Sequence, residues 1–174
     1  MFLQILRHLV ASAAASLLAV LTAHAADKER RNDHADSAVE LRCRGDLGRP
    51  LIVLLHGLGG YERFAASYDA YADLLARVGW RVCAALYYSG DDQRIMTTSD
   101  QATRDAYRER RFERWVIAVV KEIDELSSGQ RVGLLGFSQG GYLAVAVAGK
   151  QPRVRALAEL YGGIPRWGSP QIDT

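Results

Sequence analysis

Ser138 stands between glycines two residues away on either side, in Gly136-Phe137-Ser138-Gln139-Gly140. A G-x-S-x-G pentapeptide does chemistry only in one setting. A strand must run into it and a helix must leave it, so that a sharp corner lifts the hydroxyl clear of the sheet. The flanks here supply both. Arg131–Phe137 is a short apolar run suited to a strand buried on both faces, and Gly140–Gly149 is an Ala/Leu/Val-rich stretch suited to a buried helix. That helix turns its positive end and free N–H groups towards the serine, where negative charge would develop during acyl transfer. The plainer alternative is a Gly/Ser turn between strand and helix. Because both flanks fit, Ser138 is read as a nucleophile.

A second glycine cluster follows another apolar run. Pro50–His56 reads as a buried strand, and His56-Gly57-Leu58-Gly59-Gly60 bends the chain at its carboxyl end, where α/β proteins place ligands. A backbone N–H just after His56-Gly57 is a candidate half of an oxyanion hole. A dinucleotide fingerprint would need glycine where Glu62 stands, and a phosphate loop would need Gly-Lys-Ser/Thr. Both are rejected; a plain βα turn remains the alternative.

These loops need a scaffold. Val39, Leu41 and Cys43 alternate, which predicts a half-exposed strand near a sheet edge. Phe64, Tyr68, Tyr71, Leu74, Leu75 and Val78 make an apolar helix face that stops at Gly79. Arg81–Tyr87 reads as a strand and Ser89–Thr98 as a polar loop. Ser99 or Asp100 caps a long helix to about Leu126, apolar through Phe112, Trp115, Val116, Val119, Val120, Ile123 and Leu126. The cations Arg104, Arg108, Arg110 and Arg111 in its first half read as a solvated face, or as groups that help to hold a carboxylate-bearing substrate. Val154–Tyr161 is the last strand. The alternation predicts an α/β fold, a mostly parallel sheet with helices on both faces.

The chain has 174 residues and a formal net charge of +2, which fits one domain and argues against a nucleic-acid binder. Residues 1–25 read as a secretory signal peptide, with Arg7 and His8 before an apolar run and Ala23-His24-Ala25 as the cleavage site; an uncleaved anchor is the alternative. Residues 26–37 form a polar tail, and residues 38–174 the domain. The protein is therefore expected to be secreted or periplasmic, with no stable membrane association after cleavage. Cys43 and Cys83 both fall in predicted strands. A disulfide is open to them in an oxidising compartment, but two buried free thiols are the expectation.

HGLGG after one strand, the pair Tyr87-Tyr88, GFSQGGYLA, and LYGGIP after the following strand resemble an α/β-hydrolase, most closely the dienelactone hydrolase family. The resemblance covers roughly residues 39–165. Members that open small lactones commonly carry cysteine at the elbow; Ser138 here implies a broader, esterase-like member. The resemblance implies an oxyanion hole from the backbone N–H groups of Leu58 and Gln139, with His56 and Gly57 supporting the loop. It also implies an acid and then a histidine after the nucleophile. The histidines are His8, His24, His34 and His56, and none follows Ser138. His56 as a substitute base and Asp173 as the acid are weaker readings. The expectation is a C-terminally truncated hydrolase acting on a small ester or lactone through an acyl-serine, catalytically incomplete as it stands. It would need no cofactor and no metal, and could self-associate through the sheet edge at Val154–Tyr161. The competing readings are a non-catalytic exported binding domain and a serine peptidase or lipase on the same fold.

Overall fold

The structure is a computed structural model and describes residues 39–162. The signal-peptide and tail readings and Asp173 lie outside them. Five strands form one sheet: β1 (Glu40–Arg44), β2 (Leu51–Leu55), β3 (Arg81–Leu86), β4 (Val132–Phe137) and β5 (Val154–Leu160). Their order across the sheet is β1-β3-β2-β4-β5, and all neighbours are parallel except β1, which runs antiparallel to β3. β4 lies between β2 and β5, as the doubly wound pattern requires.

Residues of successive parity along β2 enter different cores, because side chains alternate across a strand. Leu51, Val53 and Leu55 pack with Trp115, Val116, Val119 and Ile123 of helix α3 (Gln101–Ser127) and with Leu143 and Val147 of helix α4 (Gln139–Lys150). Leu54 packs on the other face with Tyr68 and Ala72 of helix α1 (Ala65–Arg77). Burial of each such aliphatic side chain contributes about 1.5–3 kcal/mol, so the apolar periodicity of α3 fixes that layer. Asp100 caps α3, its carboxylate accepting from the Thr103 amide at 2.9 Å.

Three expectations need correction. The apolar face read on α1 is split: Tyr68 and Ala72 are buried, whereas Phe64, Tyr71, Leu74 and Val78 are exposed. Phe64 and Tyr71 turn instead to a cavity described below. The polar loop at Ser89–Thr98 is in fact a helix, α2 (Gly90–Thr98). Ser89 and Asp92 form a reciprocal capping box, so a short polar segment nucleates where hydrophobic periodicity gives no signal. Finally, Cys43 and Cys83 are not free thiols. The antiparallel register sets them directly opposite each other and they form a disulfide.

Asp92 does more than cap α2. It is fully buried, and its carboxylate accepts from Arg111 Nε at 2.9 Å, Trp115 Nε1 at 3.0 Å and the Tyr107 hydroxyl at 2.8 Å. Burial alone would raise its pKa; the hydrogen bonds from Arg111, Trp115, Ser89 and Tyr107 outweigh that and hold it below the usual carboxylate range. This pins α2 onto α3 at the carboxyl end of the sheet. Arg111 is therefore spent on structure rather than on a solvated face.

The disulfide closes a loop between residues 40 apart in sequence. Loop-closure entropy assigns such a link about 2–4 kcal/mol. Thiol titration of the denatured, unreduced protein should find no free thiol, and Cys43→Ser/Cys83→Ser should lower denaturant stability by about that amount. Two titratable thiols in protein purified from an oxidising compartment would contradict the pairing.

Candidate active site

Ser138 occupies the single residue between β4 and α4. Its backbone has φ 51° and ψ −114°, outside the regions an L-residue ordinarily occupies, and its side chain is exposed. Such a conformation costs about 1–3 kcal/mol and persists only where the surroundings enforce it. They do so here: the Ser138 amide donates to the Leu160 carbonyl at 2.7 Å, and its carbonyl accepts from the Gly141 amide at 2.9 Å.

The flanking glycines are required by backbone packing. A β-carbon on Gly140 would lie 2.1 Å from the Leu55 carbonyl oxygen, and one on Gly136 would lie 2.3 Å from the Gly140 carbonyl oxygen. The first turn of α4 thus rests directly on the end of β2, which sets the elbow beside the loop leaving β2. One built on Gly57 would contact Ser138 Cβ at 3.5 Å, so the two loops touch.

That second loop is held residue by residue. The Tyr87 hydroxyl donates to the His56 carbonyl at 2.7 Å, and the Gly57 amide donates to the Tyr68 hydroxyl at 3.0 Å. The Gly57 carbonyl accepts from the Gly60 amide at 3.0 Å and from His56 Nδ1 at 3.0 Å. Gln93 Nε2 donates to the Gly59 carbonyl at 3.1 Å. A peptide unit is planar, so fixing the Gly57 carbonyl fixes the direction of the Leu58 N–H on the same unit. Among the described residues, the Leu58 amide and the first amide of α4, at Gln139, donate to no acceptor. Two unspent donors therefore stand on the two loops that meet at Ser138.

His56 is buried, stacked on Tyr87 at 4.0 Å, and meets Tyr88 edge-on. Burial pushes its pKa down to about 4, the bond to the Gly57 carbonyl opposing. A carbonyl only accepts, so Nδ1 carries the proton of the neutral ring. The imidazole is thereby committed to the loop, which leaves it poorly placed as a substitute base. In the sequence, Tyr87 and Tyr68 stand out only as members of a pair and of a helix face. Their hydroxyls act on a loop more than ten residues away, a relation no local pattern encodes.

Ser138 opens into a cavity of about 580 Å³ lined by Leu58, Phe64, Tyr71, Met96 and Phe137, with Arg63 and Arg104 among the polar groups. Among the described residues that line it there is neither carboxylate nor imidazole. Arg104 also donates to the Ser99 carbonyl at 2.6 Å, which steadies it at the start of α3. Among the described residues, no group of His, Cys, Asp and Glu is arranged to hold a metal ion, and no helix is long and apolar enough to cross a membrane.

A strained serine corner at the carboxyl edge of a mostly parallel sheet, beside a glycine loop with a free amide, places the chain among the α/β-hydrolases. Solved structures agree on the fold. The dienelactone hydrolase of Anabaena variabilis ATCC 29413 aligns with TM-score 0.56 at 20% identity, over 71% of this chain and 57% of that one. The thioesterase domain from the curacin biosynthetic pathway aligns with TM-score 0.53 at 20% identity, over 74% and 48%. A structure from work on carboxylesterases of the thaumarchaeon Nitrososphaera gargenis gives 0.50 at 17%, over 72% and 42%. The chain thus spans about half the length of the structures it resembles. The model of the dienelactone hydrolase family matches residues 43–174, and the chain belongs to that family. No curated protein matches it.

Two measurements check this geometry. Gly140→Ala should destabilise the protein by about 3 kcal/mol or more, because the added carbon meets backbone that cannot yield; Gly90→Ala, with open space around it, should change stability by less than about 0.5 kcal/mol. The second concerns pH. Unfolded, His56 takes up a proton below about 6.5; folded, only near 4. Between those values the unfolded chain binds more protons, so stability falls as the solution is acidified from about pH 6.5 to 4, by about 3 kcal/mol in all. In His56→Gln that component should be lost, whatever the variant's absolute stability, leaving only the acid-side fall contributed by carboxylates with lowered pKa such as Asp92.

Proposed function

We propose that this chain supplies the nucleophile and the oxyanion donors of a serine hydrolase of the dienelactone hydrolase type, acting on a carboxylic ester or lactone. Ser138 Oγ attacks the acyl carbon, the carbonyl oxygen becomes an oxyanion between the Leu58 and Gln139 amides, and the alcohol leaves to give an acyl-serine. The observation that carries this reading is the exposed, strained Ser138 set against the one loop whose carbonyls are held and whose Leu58 amide is not. The proton of the serine needs an acceptor. No histidine follows Ser138, and the cavity's described lining offers none. We therefore infer that the acid and the base are not among these residues and that the chain as given is catalytically incomplete. Arg63 and Arg104, with no described carboxylate beside them in the cavity, favour a substrate that bears an anionic group. Residues 1–25 are proposed to direct export, consistent with the disulfide, which persists outside the reducing cytosol.

The test is a reaction of the purified chain with an activated aryl ester, followed by intact mass and by released phenol. The expected result is slow acylation to at most one acyl group per chain. That adduct should be missing in Ser138→Ala, and form faster from an aryl hemisuccinate than from an aryl acetate. Sustained turnover at ordinary enzyme rates, about 1–10³ s⁻¹, would show that a base is present after all. No Ser138-dependent adduct would favour a domain that only binds.

A further inference from the structure

The amides of Leu58 and Gln139 sit on loops that follow different strands, β2 and β4. An oxyanion site needs a fixed separation between its donors, since the charge it serves occupies one point. Each loop is ordered internally, by the bonds described above. What ties one to the other is a side chain from a third loop. Tyr88 leaves the end of β3, and its hydroxyl accepts from Gln139 Nε2 at 2.6 Å while facing the Leu58 carbonyl at 3.5 Å. The three loops follow strands that lie side by side in the sheet, in the order β3-β2-β4. Tyr88 therefore reaches across the middle loop to the elbow beyond it.

From this geometry we propose that Tyr88 is a positioning residue for the oxyanion site: its hydroxyl joins the Gln139 side chain to the Leu58 carbonyl and so sets the spacing of the two amides. The proposal rests on the reading of Ser138 as nucleophile. Three further observations support it. The Tyr88 ring is locked, edge-on to His56 at 4.8 Å and to Tyr87 at 5.0 Å, and tilted against Trp115 at 5.0 Å. Burial raises its pKa far above the ordinary tyrosine value, against the lowering effect of the Gln139 hydrogen bond, so the phenol keeps the proton it directs at Leu58. Gln139 is buried, and its Oε1 has no partner among the described residues. Held in this way, Gln139 has its side chain fixed by Tyr88 while its backbone N–H stays free.

The experiment measures binding of phenylboronic acid, which becomes tetrahedral on a serine oxygen and puts a charged oxygen where the oxyanion would lie, beside binding of planar, neutral benzamide. The full chain is used, and the tetrahedral adduct is read by its ¹¹B chemical shift. Tyr88→Phe keeps the ring packing and removes only the hydroxyl. It should weaken boronate binding roughly tenfold, the scale of one lost hydrogen bond to an ionised group, and leave benzamide binding unchanged. Gln139→Met keeps the backbone amide and cuts the other end of the bridge; it should give the same selective loss, and it decides the matter if Tyr88→Phe does not fold. Equal boronate binding in wild type and variants would overturn the positioning role while Ser138 stands as nucleophile. Equal losses for boronate and benzamide would overturn it too, as damage to the cavity at large. If the wild-type chain gives no tetrahedral signal that Ser138→Ala abolishes, the nucleophile reading itself falls, and the bridge with it.

Discussion

The contact on which the rest of the molecule depends is between two stretches of bare backbone. The first turn of α4 lies against the end of β2 so closely that Gly140 has no space for a β-carbon beside the Leu55 carbonyl. Neither dispersion nor hydrogen bonding between side chains is available at such a distance. The approach is maintained from elsewhere, by Leu143 and Val147 packed over the sheet and by the parallel ladder between β2 and β4. With that distance set, the chain entering α4 has room only for an abrupt reversal, and the reversal falls on Ser138. The strain at the serine is thus a local cost of a packing that the core stabilises many times over.

The serine corner could be read directly from the sequence because everything it needs is local: two glycines, an apolar strand before it and an apolar helix after it. The same holds for the long helix α3, whose periodicity repeats over several turns. Other features escaped for physical reasons. The pairing of Cys43 with Cys83 depends on an antiparallel register between segments 40 residues apart, and alternation alone does not fix which residues face each other. α2 is organised by a buried carboxylate rather than by apolar residues, so a hydrophobic pattern passes over it. On α1 the apolar residues serve two customers, core and cavity, and spacing cannot divide them.

The site shows a division of labour between aromatic rings and their polar tips. Tyr68, Tyr87 and Tyr88 each bury a ring in or against the core and end in a hydroxyl at the loop after β2. A buried phenol needs a hydrogen-bond partner, and a glycine-rich loop needs restraint. Each requirement answers the other. The loop gains much of its order from side chains outside it, so the space in front of Ser138 stays open.

The link between Cys43 and Cys83 also changes what a break in the backbone would mean. The turn between β1 and β2 is exposed, with Leu47 at its tip the most accessible large apolar side chain there. Exposed loop tips are where proteases cut. A cut at that tip would leave β1 hydrogen-bonded to β3 and covalently attached to it through sulfur. The severed strand could not diffuse away, and the sheet edge it covers would stay closed. A nicked molecule would thus keep its architecture, and only reduction would release the fragment.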